Sequence, residues 1–301
     1  MLRGIAALFF GGILASCALS HTVELGLDGS AEDGEPPECP SCEPDGEIPD
    51  CSLCDPSCVV PGTSVLAFDV TGLRIPQLAE VAGFDLDEHH TTSRDDPVGC
   101  GWTDEDGGID NAFEPLTRVY AAVTGGFDLN QILSRALDDG HIDLRVELRD
   151  YDGPSDELVV VTVRSGGEPV EGVEWLCTSA DEQGRVLVRF PQLTLAAPEA
   201  HVDADGHVTP LRVPIDDVVL AIDVPEASPP KAVLGGAVRW TAESIFQSDF
   251  VALVIAAYDP DAVPERVVEF IDPARDLGPR GDCHSLSLGM TLALTSAESA
   301  D

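Results

Sequence analysis

Positive charge is scarce in this sequence: 16 Lys and Arg residues stand against 55 Asp and Glu, for a formal net charge of -39. A surface of that sign repels phosphate backbones and anionic headgroups, which argues against a nucleic-acid partner. It suits divalent cations, or a basic protein or polymer partner. Aromatic residues make up only 5% of the chain, so Trp102, Trp175 and Trp240 can supply local contacts but no stacking platform for sugars. Beyond the first sixteen residues no apolar run is long enough for a membrane helix; the best, residues 250–258, is bounded by Asp249 and Asp259. Catalytic motifs are missing as well. There is no Gly-x-Ser-x-Gly elbow and no His-Glu-x-x-His, and Val233-Leu234-Gly235-Gly236-Ala237 lacks the Lys-Ser/Thr of a phosphate loop. Those two glycines point instead to close strand packing or a bulge.

The amino terminus carries the clearest signal. Arg3 precedes an uncharged apolar run from Gly4 to Ala15, the length of a secretory signal's hydrophobic region. Leu14-Ala15-Ser16-Cys17 resembles the bacterial lipobox, which implies removal of residues 1–16 and lipid on Cys17. The membrane is then a partner through that lipid, held by several acyl chains where one alone would be marginal. Ala18, rather than an aspartate, follows the cysteine. The resemblance therefore implies the outer membrane of a two-membraned envelope.

Eight cysteines remain: Cys39, Cys42, Cys51, Cys54, Cys58, Cys100, Cys177 and Cys283. In an exported chain an even number reads as disulfides. Five of them lie within residues 17–60, an acidic tether rich in Cys, Pro and Gly. Its two Cys-x-x-Cys pairs have little around them to pack on a metal, so disulfides are expected over zinc. Five is odd, so one of these cysteines is expected to reach the folded body or another chain.

Residues 61–301 are expected to form one β-rich domain, an antiparallel sandwich or curled sheet with about three short helices, with an α+β arrangement as the alternative. Period-two alternation marks strands at 64–73, 142–149, 158–163, 185–190, 208–213, 218–224, 232–240 and 285–294. Apolar stripes mark helices at 113–123, 128–137 and 241–258, with Asp128 or Asn130 capping the second, Thr241 capping the third, and Ile245 among the inward residues of the third.

The long polar segment 83–111 holds the candidate site. Asp85 and Asp87, then Asp104, Asp106 and Asp110 around Gly107-Gly108, place carboxylates two residues apart in a glycine-bent loop, an arrangement that suits calcium. It is not an EF-hand, because its twelfth position is Pro115. A loop this long needs an organiser, and Cys100 can pin its middle. The histidines give less. With Asp205-Gly206 as a two-residue turn, His201 and His207 fall on opposite faces. A carboxylate-based hydrolase and a carrier of an apolar ligand stand as alternatives to a binding or structural protein, since any two of so many acids can meet in a fold and a curled sheet can enclose a cavity.

Gly83-Phe84-Asp85-Leu86-Asp87, Gly107-Gly108-Ile109-Asp110-Asn111, Val233-Leu234-Gly235-Gly236-Ala237 and Asp282-Cys283-His284-Ser285-Leu286-Ser287-Leu288-Gly289 resemble segments of uncharacterised secreted or lipid-anchored proteins of myxobacteria and their relatives. The resemblance implies an anchored envelope protein and brings no catalytic residue with it.

Overall fold

A computed structural model describes residues 64–76, 80–93, 100, 103–105, 107–123, 128–171, 176–225, 228–258, 263–278 and 283–297. The expected lipidation site Cys17, the tether cysteines Cys39, Cys42, Cys51, Cys54 and Cys58, and Asp106 lie outside them.

The chain is mainly β. Strands β1 (Val65–Arg74), β2 (Leu144–Arg149), β3 (Val159–Ser165), β4 (Glu168–Pro169), β5 (Leu176–Thr178), β6 (Arg185–Val202), β7 (Val208–Asp223), β8 (Lys231–Arg239) and β9 (Ser285–Ala297) form one antiparallel sheet. The order is β4-β3-β2-β1-β9-β8-β7-β6, with β5 also on β3. The sheet curls without closing. Just past β5, Ala180 bridges Val186 of β6, and Thr178 Oγ1 donates to the Leu187 carbonyl at 2.8 Å. Helices α1 (Phe113–Val123), α2 (Leu129–Asp138) and α3 (Ile245–Tyr258) complete one hydrophobic core with its inner face.

Alternation decides which residues face that core. Phe68 and Val70 point inward on β1, and a bulge between Val70 and Gly72 then shifts the phase so that Leu73 and Ile75 do. Phe246 and Phe250 of α3 pack against Trp240 and Phe113, with ring centroids 5.4–6.2 Å apart. Trp240 satisfies its buried indole N–H on Asp272 at 3.0 Å.

Several sequence expectations need correction. The runs at 185–190, 208–213 and 218–224 are parts of the two longest strands, which continue through Pro191, Pro198, Pro210 and Pro214. These prolines are tolerated because β6 is an edge strand and β7 pairs with β8 only from Asp216 onward. A fourth helix, α4 (Pro264–Ile271), opens on a proline whose missing N–H costs a helix start nothing. Ser244, not Thr241, caps α3 by accepting the Gln247 N–H at 3.1 Å, and Ile245 is 50% exposed rather than inward. The hairpin after β6 closes on Asp203 and His207 with Gly206 in the left-handed region, so Asp205-Gly206 is not a two-residue turn.

In α2 the cap is Asp128, which accepts the Asn130 N–H at 2.9 Å. Asn130 instead forms both hydrogen bonds with the Ile75 backbone, at 2.8 and 3.1 Å, tying the helix to the end of β1. Asp128→Ala is expected to cost about 1 kcal/mol of stability, read as a lower urea midpoint at unchanged slope.

Candidate functional site

Residues 82–84 lie against the face of the sheet that points away from the helices. Gly235 and Gly289 are direct cross-strand partners on β8 and β9. A Cβ at Gly289 would stand 2.0 Å from the Ala82 carbonyl oxygen, and one at Gly235 would stand 2.5 Å from the Phe84 ring. The pair therefore clears a flat patch on which residues 82–84 rest. Gly236 faces the other way, where a Cβ would meet Ile215 and the Asp216 carbonyl beside the β7 bulge. Both glycines in the Val233–Ala237 run thus have the packing role expected of them.

Two arms of the loop are pinned together on that patch. Phe84 and Asp110 form an antiparallel bridge, and a second bridge joins Glu105 and Ile109 around the turn at Gly107-Gly108. Asn111 caps the stretch of β9 that β1 does not reach, accepting the Gly289 N–H at 3.2 Å and donating to Ala82 at 3.0 Å. Cys100 is bonded to Cys283, which ties the loop to the approach to β9. Cys177 on β5 is disulfide-bonded as well.

Three of the expected ligands converge. Asp85, Asp87 and Asp110 bring carboxylate oxygens within 4.8 Å of one another. Asp85 is exposed, Asp87 half-buried and Asp110 buried. Asp110 accepts the Leu86 N–H at 2.6 Å, and neighbouring Asp104 accepts the Thr91 N–H at 2.5 Å. Behind them stands an acid that the sequence reading missed. Asp276 is buried, 4% exposed, and takes both the N–H (2.7 Å) and the hydroxyl of Ser287, whose oxygen accepts the Ala112 N–H at 2.7 Å. Nothing local marks Asp276; only pairing of β9 with the residues before it brings it beside Asp110.

Crowded carboxylates taken out of water hold their protons. Burial, together with the charges of Asp276, Asp87 and Asp104, pushes the Asp110 carboxyl up to about 9. Burial raises Asp276 to about 7 and, aided by the Asp87 charge, Asp104 to about 6. Asp87 is raised by burial and by the Asp85 charge. Such a set can share protons, or exchange them for a hard cation that prefers about six to eight oxygens.

Beside the cluster opens a cleft of about 790 Å³, with Asp87 and His89 on the loop side and Arg189, Asp216 and Arg239 on the sheet side. Arg239 pairs with Asp216 at 2.7 Å. No family model, curated protein or solved structure matches the chain.

A second group, Asp203, Asp205 and His207, also draws together. Here Asp203 accepts the N–H groups of Asp205 and His207, both at 2.8 Å, and meets the His207 ring at 2.8 Å. Its oxygens close an exposed hairpin turn, and nothing more is needed to explain them. Within the apolar core, the space among Phe113, Leu133, Leu195, Phe250 and Met290 is about 10 Å³. That is less than a ligand needs, so the carrier alternative draws no support from it.

Proposed function

We propose that this chain is an exported envelope lipoprotein of binding or structural type whose acidic loop is organised by calcium. The observation that supports it best is the convergence of Asp85, Asp87 and Asp110 from both arms of a loop seated on a glycine-cleared patch, with the Asp104 charge close enough to be felt at Asp110. A cation there neutralises mutual repulsion, sets the rim of the adjoining cleft and leaves the acidic surface for a basic protein or polymer. Lipid on Cys17 and residence at the outer membrane rest on the lipobox resemblance.

Thermal unfolding of the full chain in excess calcium and in chelator tests the loop. Calcium is expected to raise Tm by roughly 5 °C, and Asp85→Asn with Asp87→Asn to abolish the rise. Equal responses from the two proteins would overturn the reading.

The raised carboxyls give a second, independent signature. Between the unfolded carboxyl pKa near 4 and the folded values of about 6, 7 and 9, the folded chain binds more protons than the unfolded one. Stability in chelator therefore falls as pH rises through that window. The Tm is expected to drop by roughly 10 °C or more from pH 5 to pH 9, with a flatter profile for Asp110→Asn. Calcium affinity rises over the same range, because the ion displaces the retained protons.

The cleft favours one second reading, a hydrolase in which Asp87 meets the substrate. It predicts turnover in a screen of glycosides and esters, lost in Asp87→Asn.

A further inference from the structure

The outer face of β1, β2 and β3 carries a second arrangement that calcium and the cleft do not use. The pairing registers align Cys177, Val160, Arg149 and Val65 in one row across β5, β3, β2 and β1. In the next two rows lie Thr162, Glu147 and Ala67, then Arg164, Arg145 and Asp69. All point away from the helices.

Glu147 is the hub: Arg164, Arg149 and Arg145 reach it at 3.0, 3.3 and 3.6 Å. With Asp69 opposite Arg145, three cations face two anions. That is a net positive spot in a chain of net charge -39. The face is also shielded from water, since Val160, Thr162, Ala67 and Glu147 are only 2–5% exposed. A solvated sheet face leaves such positions open. Arg145, Arg149, Thr162 and Cys177 each engage groups beyond those described above.

We propose that the acidic segment 39–58 docks on this face and is fastened there by a disulfide between Cys177 and one of Cys39, Cys42, Cys51, Cys54 and Cys58. Three arguments meet. Cys177 is disulfide-bonded, and Cys100 and Cys283 are already joined to each other. Drawing one cysteine from the five leaves four, which can form two local bridges. The charges match, because residues 39–58 contain Glu43, Asp45, Glu47, Asp50 and Asp55 and no Lys or Arg. The reach is sufficient too. The chain enters β1 at Val65, in the Cys177 row, three strand spacings away or roughly 14 Å. The seven residues from Cys58 to Val65 span up to roughly 23 Å.

Bond formation takes one proton and one electron from each thiol. A disulfide-donating oxidant of the export compartment accepts both pairs and ends as a dithiol. The proposal rests on the exported reading only for that oxidising compartment. Its consequence is a shorter leash: residues 18–38 alone would separate the lipid from the stapled body.

The test is a non-reducing digest of the full-length chain, mapped by mass spectrometry, with hydrogen exchange on the same sample. The expected result is a Cys177 peptide joined to one from residues 39–58, whose amides exchange about tenfold or more slower than free peptide and lose that protection in 1 M salt. A free Cys177 thiol, or a Cys177 bridge to a second copy, would overturn the proposal. So would a mapped bridge with segment 39–58 exchanging at the free-peptide rate, since that is attachment without docking. Cytosolic expression separates the two premises: an intact body with Cys177 reduced there, but bridged after export, supports both. A Cys177 bridge already formed in the cytosol would remove the dependence on export and leave the docking claim standing.

Discussion

Gly289→Ala is expected to unseat the acidic loop and to cost about 3 kcal/mol, a large effect for one methyl group. The added Cβ would lie 2.0 Å from the Ala82 carbonyl oxygen, 2.8 Å from its carbon and 2.9 Å from the Gly83 Cα. These are backbone atoms, which cannot swing aside as the end of a side chain can. Strand β9 cannot yield either, because β8 pairs with it along its whole first half, from Ser285 to Ala293. The loop must lift, and the Asn111 hydrogen bonds to Ala82 and Gly289 go with it. A denaturant midpoint lowered in chelator, together with loss of the calcium response, is the expected pair of observations. Gly72→Ala serves as control: its Cβ meets only the Ala293 methyl at 3.1 Å. A neutral Gly289→Ala would mean that the loop does not rest on this patch.

The second large effect is expected from removing the Cys100–Cys283 bridge with paired Cys→Ser changes. The cysteines are 183 residues apart, so the cross-link withholds much freedom from the unfolded chain. Chain entropy alone sets a ceiling of about 5 kcal/mol, and measured values commonly fall below such ceilings. An expected loss of about 3 kcal/mol is read from unfolding of oxidised wild type and double variant, with faster proteolysis within residues 84–110. An unchanged midpoint would show that the Asp276–Ser287–Ala112 contacts anchor the loop without the bridge.

Much of the fold was legible because periodicity is local. Helix α1 spans the expected residues, and β1 and β9 lie where alternation put them. The misreadings share a cause. Prolines at 191, 198, 210 and 214 look like strand ends, yet a proline is excluded only where a neighbouring strand needs its N–H. Which strand is an edge is a property of the whole sheet. The hairpin at Asp203 shows the same limit at short range, since Asp203 Oδ1 accepts two backbone N–H groups and the turn is a residue longer.

What the sequence determined by itself was charge, the β-rich class and an acidic glycine-bent loop, all carried by neighbours along the chain. Tertiary structure alone decided which acids meet. Asp85, Asp87 and Asp110 converge because a bridge between Phe84 and Asp110 folds the loop on itself. Asp276 joins them because strand order brings the residues before β9 beneath the loop. Tertiary structure also decided that Cys177 shares a row with Arg149, since register is set by pairing across strands and leaves no mark within any one of them.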